Sequence, residues 1–310
     1  MKLALHTDSL RARPFEEMLD LAAQAGVEGL ELATGGQSSA PHIDLDGLLA
    51  ESQARRRLLD ELRSRGLQIC ALNCSAWPLH PVHGDESRRL IERTFALAEL
   101  LEVETVVTMS GTPGDVPTAS TFTWSWYPWP PDQVELLDRQ WESALELWQS
   151  LVAKAGGCGV IRLAFELHPL HLVYNVPTLE RFRAELGALV GANVDPSHLV
   201  WQRMDPAAVV RVLGPAVHHV HLKDTRYNPR ELELAGVLDS RPFADPTRRA
   251  WTFCTVGRGH DAAFWEGFVG ALREVGYDGA LAIEHEDPLA GDVEGVLEGA
   301  RFLQPLLGQG

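Results

Sequence analysis

GANVDPSHLVW, residues 191–201, is the stretch on which the fold reading turns. Apolar residues run up to Val194, a carboxylate follows at Asp195, and an imidazole stands three positions on at His198. A short apolar run of this kind reads as a buried strand. A charge at the end of a buried strand is costly unless something meets it. Either a salt bridge or a bound cation answers Asp195, and the same pattern of apolar run and polar end recurs along the chain.

Moving outward, eight such runs are found at 2–6, 27–32, 67–74, 103–110, 160–167, 189–195, 216–222 and 279–284. Longer segments with helical periodicity separate them, at 14–25, 46–65, 85–101, 132–155, 178–186, 206–213, 262–275 and 292–307. Proline at the first turn and glycine past the end mark the first of these helices. Strict alternation of strands and helices predicts a parallel sheet with crossover helices, and eight units close into a barrel. The expected fold is therefore α/β, a (β/α)8 TIM barrel forming a single domain over 1–310 with long βα loops. A doubly wound open sheet fits less well, because the first strand–helix turn, HTDSLRARP, has no Gly-rich phosphate loop. Two segments read as long loops: 111–131, rich in Pro, Trp, Ser and Thr, and 224–260, polar and rich in Arg and Pro. Long loops in compact domains are often functional.

The net charge of −16, from 27 Lys plus Arg against 43 Asp plus Glu, argues against nucleic acid as the main ligand. Cys70, Cys74, Cys158 and Cys254 show no Cys-x-x-Cys spacing and read as free thiols of a reducing compartment. The N-terminal apolar run is too short for a signal peptide, and no run is long enough to span a membrane. A cytoplasmic protein without membrane or nucleic-acid partners is expected.

In a barrel of this kind the active site lies at the C-terminal ends of the strands. Those ends carry His6, Glu31, Asn73 with His80 beyond it, Glu166 with His168, Asp195 with His198, His219 and His221 with Lys223, and Glu284 with His285 and Glu286. Taken singly, each has a structural explanation, as a rim residue or a hydrogen-bonded histidine. Convergence changes the weighting. Glu166, Asp195, His221 and Glu284 fall on the fifth to eighth strands at one rim, and three carboxylates in a small buried space need a counter-charge. A divalent cation supplies it, with Mn²⁺ the first choice and Mg²⁺, Co²⁺ or Zn²⁺ as alternatives. Lys223 or Arg258 offers the same charge without a metal.

FELHP (165–169), NVDPSHLVW (193–201), HVHLKD (219–224) and IEHEDP (283–288), in this order and spacing, resemble the xylose isomerase-like TIM-barrel superfamily, the sugar phosphate isomerase/epimerase and AP endonuclease family 2 group. CALNCSAWPLHP (70–81) and TVGRGHDAAFW (255–265) fit the same pattern, so the resemblance spans nearly the whole chain. It implies that Glu166, Asp195, His221 and Glu284 hold one divalent metal ion and that His198 lies beside it and contacts the substrate. Ketose 3-epimerases of the group carry a substrate-binding Glu six residues after the first metal Glu, where Leu172 stands here. The DNA-repair members bind three zinc ions and carry an Asp-x-His pair after the seventh strand, and no clean equivalent lies between Asp224 and Arg258.

The implied chemistry is that of a sugar isomerase or epimerase: a metal-bound carbonyl, proton abstraction at the neighbouring carbon, and an enediolate, with Glu166 and Glu284 as the acid–base pair. The alternative on the same site is a lyase, a dehydratase or an enzyme eliminating from a 3-keto-glycoside. A non-catalytic sugar-binding module has no use for three crowded carboxylates. His168, Lys223, Arg258, His260 and His80 are expected to contact sugar hydroxyls or a carboxylate. Trp124, Trp126 and Trp129 are expected either to stack on a sugar or to pack against the barrel or a second subunit of a homo-oligomer. No phosphate cradle is visible, which favours a non-phosphorylated sugar.

Overall fold

The structure, a computed structural model, describes residues 1–308. Ten strands form: β1 (Lys2–His6), β2 (Gly29–Gly36), β3 (Gln68–Ser75), β4 (Thr105–Thr108), β5 (Arg162–Glu166), β6 (Val190–Val194), β7 (Val217–Leu222), β8 (Asp224–Tyr227), β9 (Trp251–Cys254) and β10 (Ala280–Ile283). Eight of them make a closed parallel barrel in the order β1-β10-β7-β6-β5-β4-β3-β2, a (β/α)8 TIM barrel. β8 and β9 form a separate two-stranded sheet. The backbone groups into two compact units, one of residues Met1–Leu32, Arg56–Cys70 and Val194 onward, the other of Ala33–Arg55 and Ala71–Asn193.

In the first unit, β1 pairs in parallel with β10, Ala4 opposite Ala282, and with the start of β2, where His6 faces Glu31. β10 continues to β7, Ala282 opposite His221. Helices on this unit begin where a side chain can take the first free N–H groups. Asp205 accepts from Ala207 and Ala208, and Asp261 accepts from Phe264. The segment expected to be a loop over 224–260 is instead partly regular. β8 and β9 pair antiparallel, Asp224 opposite Cys254 and Tyr227 opposite Trp251, and a short helix, Pro229–Ala235, follows β8. The reason lies in a period-2 pattern hidden among the arginines: Trp251 and Phe253 share one face of β9. The Trp251 ring stacks on Trp201 with centroids 4.6 Å apart and planes 6° off parallel. Trp201 itself belongs to an unforeseen short helix, Pro196–Trp201, started by Asp195.

In the second unit, β3 to β6 pair in sequence, and Ala71, Val107 and Ala164 form one small-residue layer of the core. The helix Pro131–Gly157 buries Trp141, Ala144, Trp148, Leu151 and Ala155, three and four residues apart, on its inner stripe. Trp148 is fully buried, donates its indole N–H to the Ser110 carbonyl at 2.8 Å and meets the Phe165 ring edge-on. Gln140 of this helix donates to the carbonyls of Pro113, Gly114 and Thr123, so it fastens the start and the middle of the tryptophan-rich loop. The helix expected over 46–65 is divided at Glu51, which is extended. The Arg55 guanidinium takes the Leu48 carbonyl at 2.6 Å and closes off the shorter piece, Leu45–Ala50. All four cysteines are free, and among the described residues no helix is long and apolar enough to cross a membrane.

Trp148→Ala removes a large buried ring and strands the Ser110 carbonyl. The expected loss is about 3–5 kcal/mol, read from urea unfolding. A loss below about 1 kcal/mol would show that this unit does not depend on the aromatic packing described.

Candidate metal centre

Asp195 ends its strand in charge for two reasons. Its Oδ1 accepts the Ser197 N–H at 2.8 Å and so starts the following helix. Its Oδ2 faces the Lys223 ammonium at 3.1 Å and His198 Nε2 at 3.3 Å. Lys223 is 2% exposed and also meets Glu284 at 2.7 Å and Glu286 at 3.0 Å, with the Phe253 ring 4.8 Å away. One buried ammonium therefore stands at the focus of three carboxylates. Both sequence-based sources of counter-charge can now be weighed on geometry: Lys223 is at the cluster, whereas Arg258 is engaged elsewhere.

His221 joins the cluster from β7. Its Nδ1 lies 3.1 Å from Glu284 Oε2, and Asp195, His221 and Glu284 bring ligand atoms within 4.8 Å of one another. Its other nitrogen, Nε2, lies 3.0 Å from both oxygens of Glu31. A carboxylate only accepts, so Nε2 donates to Glu31, and Nδ1 is turned toward the acidic cluster. His219, two residues earlier on the same face of β7, donates to the same carboxylate at 2.7 Å. Glu31, His219 and His221 are all essentially inaccessible.

Burial opposes charge on Glu31 and His221, and the attraction of their partners outweighs it. His221, then His219, holds the Glu31 carboxyl well below the usual range. Glu31 and then Glu284 hold the His221 imidazole well above its ordinary value. Burial likewise works against Glu284, but Lys223 and His221 keep it strongly acidic. His198 goes the other way: burial first, then the Lys223 charge, bring it down to about 4 against the pull of Asp195. Its approach to Asp195 is therefore that of a neutral imidazole, not an ion pair.

This donor set fits a divalent cation. It has hard carboxylate oxygens and one imidazole, negative charge in excess, and a second-nitrogen hydrogen bond that fixes the tautomer, an arrangement common behind metal-bound histidines. Glu31, the shared partner of both imidazoles, reads from sequence only as a strand end. The available signal was the alternation in His219-Val220-His221, which puts two imidazoles on one face and demands an acidic partner there.

Asp224, at the end of HVHLKD, organises a loop. Its Oδ2 accepts N–H groups from Gly257, Gly259 and His260, and its Oδ1 accepts from Thr225 and from His260 Nδ1 at 2.7 Å. A Cβ at Gly259 would sit 2.4 Å from the Thr225 carbonyl oxygen, so only glycine permits this approach. His260 keeps partial exposure. The Arg258 guanidinium is held by Glu298 at 2.6 and 2.9 Å, with Asp287 at 3.6 Å.

Glu166, His168, His80 and the three tryptophans lie in the second unit. Glu166 ends β5 and is 2% exposed. The His168 ring contacts the Pro169 carbonyl. His80 Nδ1 accepts the N–H groups of Val82 and His83 and lines a cavity of about 530 Å³ with Trp77 and Phe122. Trp124 donates to the His171 carbonyl at 3.0 Å, whereas Trp126 and Trp129 are exposed.

Residues 19–306 match the xylose isomerase-like TIM barrel family, and the chain belongs to it. Over 313 residues it is 41% identical to the uncharacterized protein YfiH of Bacillus subtilis (strain 168), covering all of both chains. Among solved structures it is similar to the IOLI protein with a zinc atom (TM-score 0.70, 16% identity, 100% of this chain and 99% of that one). It is similar also to the probable 3-DHS dehydratase AsbF involved in petrobactin synthesis from Bacillus anthracis (0.67, 16%, 98% of each). L-ribulose 3-epimerase shares the fold as well (0.65, 14%, 99% and 94%).

Glu31→Gln removes the anchor of His221, and Mn²⁺ affinity measured by calorimetry is expected to fall about 10–100-fold. An unchanged affinity would mean that His221 keeps its aim without Glu31. Ligation also requires the raised His221 to give up a proton. Wild-type Mn²⁺ affinity should therefore rise about tenfold per pH unit until that raised value is passed. Affinity that stays flat between about pH 6 and 8 counts against His221 as a ligand.

Proposed function

We propose that this protein is a divalent-metal-dependent enzyme that moves a proton on the carbon beside a sugar carbonyl, an isomerase or epimerase working through an enediolate. The observation that carries the reading is the meeting of Asp195, Glu284 and His221 Nδ1 at one buried point already charged by Lys223. Glu166, buried at the end of β5, is the proposed fourth ligand, and Mn²⁺ the proposed ion. When bound, the ion supplies the positive charge that polarises the carbonyl and acidifies the neighbouring C–H.

The side chains divide the remaining work. Glu284 keeps 14% of its side chain exposed, so it is the carboxylate placed to meet substrate and take the proton. Glu166 returns one. His198, neutral and buried, offers a hydrogen bond to a substrate oxygen. The Lys223 ammonium offsets negative charge as it develops on the substrate. His168, His260, His80, Arg258 and Trp124 are proposed contacts to the rest of the sugar. The likeness to L-ribulose 3-epimerase supports this chemistry at the level of fold. We place the protein in the cytoplasm, with a small sugar as its partner rather than nucleic acid or membrane; the charge of −16 supports excluding nucleic acid.

One observation favours a lyase as the second reading. Leu172 is 2% exposed, an apolar core residue where the epimerase pattern has a substrate-binding Glu. The likeness to a probable dehydratase is in keeping with that. Both readings begin with the same proton abstraction and differ in whether a leaving group departs.

A panel of keto-sugars incubated with the protein and Mn²⁺ in deuterium oxide tests this. Exchange of the α-proton is expected, with loss of water or an aglycone only if the lyase reading holds. Glu284→Gln and Glu166→Gln should each slow exchange by about 10²–10⁴-fold. Spectra unchanged across the panel, or both variants exchanging at the wild-type rate, would overturn the assignment.

A further inference from the structure

We infer that His6 is a substrate-contacting residue whose imidazole hydrogen-bonds a hydroxyl of a polyhydroxylated carbonyl compound, an inference that rests on the sugar-enzyme reading above. His6 is the last residue of β1, at the end of the barrel where active sites form. It is 6% exposed, yet neither Nδ1 nor Nε2 has a hydrogen-bond partner among the described residues. Buried polar groups are partnered in the great majority of cases, and an unpartnered one costs stability.

The surroundings explain why no protein group answers it. The His221 ring lies with its centroid 5.6 Å away, tilted by 34°. Its register partner in β2 is Glu31, whose oxygens are taken by His219 and His221. Glu284 is turned to Lys223 and His221. The local turn Thr7–Leu10 draws no cap from it. Leu3 and Leu5 show that this strand otherwise buries apolar side chains. An apolar residue at position 6 would avoid the penalty, so the imidazole is retained for something outside the chain.

The chemistry of the ring narrows what that is. A hydroxyl both donates and accepts, so it can answer either ring nitrogen, whichever one carries a proton. A carboxylate or phosphate oxygen would use only the donor. His6 thus favours a hydroxyl-bearing part of the substrate, beside His221.

The test compares His6→Phe, which keeps a ring without polar atoms, with His6→Gln, whose amide restores a donor and an acceptor. For His6→Phe, the metal-free melting temperature is expected to stay level or rise, Mn²⁺ affinity to change less than about twofold, and KM for the active keto-sugar to rise about tenfold or more. His6→Gln should recover part of that KM loss. A clear fall in melting temperature with KM unchanged would make His6 a structural residue and overturn the inference. So would no change in either quantity. Should the wild type turn over no keto-sugar, the functional reading fails first. The inference is then read from the upward melting shift given by polyols and hydroxyketones. It stands if His6→Phe abolishes that shift, and falls if the variant keeps it or the wild type shows none.

Discussion

Negative charge crowded into a dry space is the constraint from which the rest of the first unit follows. Asp195 is fully buried and Glu284 largely so, and carboxylates so placed are tolerable only beside positive charge. Lys223 provides it, and its four-carbon stem is long enough to reach Asp195, Glu284 and Glu286 together. The same crowding sets the protonation of its neighbours. It keeps His221 charged and His198 neutral, although the two imidazoles are equally buried. Neighbouring charge separates their behaviour: Glu31 and Glu284 overcome burial at His221, whereas burial and Lys223 act together at His198.

The barrel was legible because its signal is repeated. Each of the eight expected strands is present, with ends displaced by a few residues at most in seven of them; β2 runs on to Gly36. Burial on both faces writes a parallel strand as an unbroken apolar run, which a single sequence displays directly. What escaped notice was local. The stretch 224–260 reads as polar because arginines and prolines outnumber its aromatics, yet two alternating aromatics were enough to anchor a small sheet on Trp201. The break at Glu51 depends on where the Arg55 side chain turns back, which periodicity does not encode.

The site was legible in its acidic residues and obscure in what supports them. Strand ends carry the carboxylates and histidines in plain order. The partner of each is fixed by the closure of the barrel, so Glu31 and His221, 190 positions apart, meet only in three dimensions. Asp224 shows the opposite limit. It stands beside the site in sequence, and its five hydrogen bonds go to a loop and to His260. Adjacency along the chain is a weak guide to which carboxylate does chemistry and which holds backbone.

Glu31 grips two imidazoles carried by alternate residues of a single strand. Slipping β7 by one position would turn both outward at once, so the pairing doubles as a check on register during assembly. It also separates inheritance of the aim of His221 from inheritance of the pocket. The aim is stored in side chains of β2 and β7, whereas the loop after β9 is tied down separately, by Asp224. That loop can therefore change without disturbing the hold of Glu31 on His221.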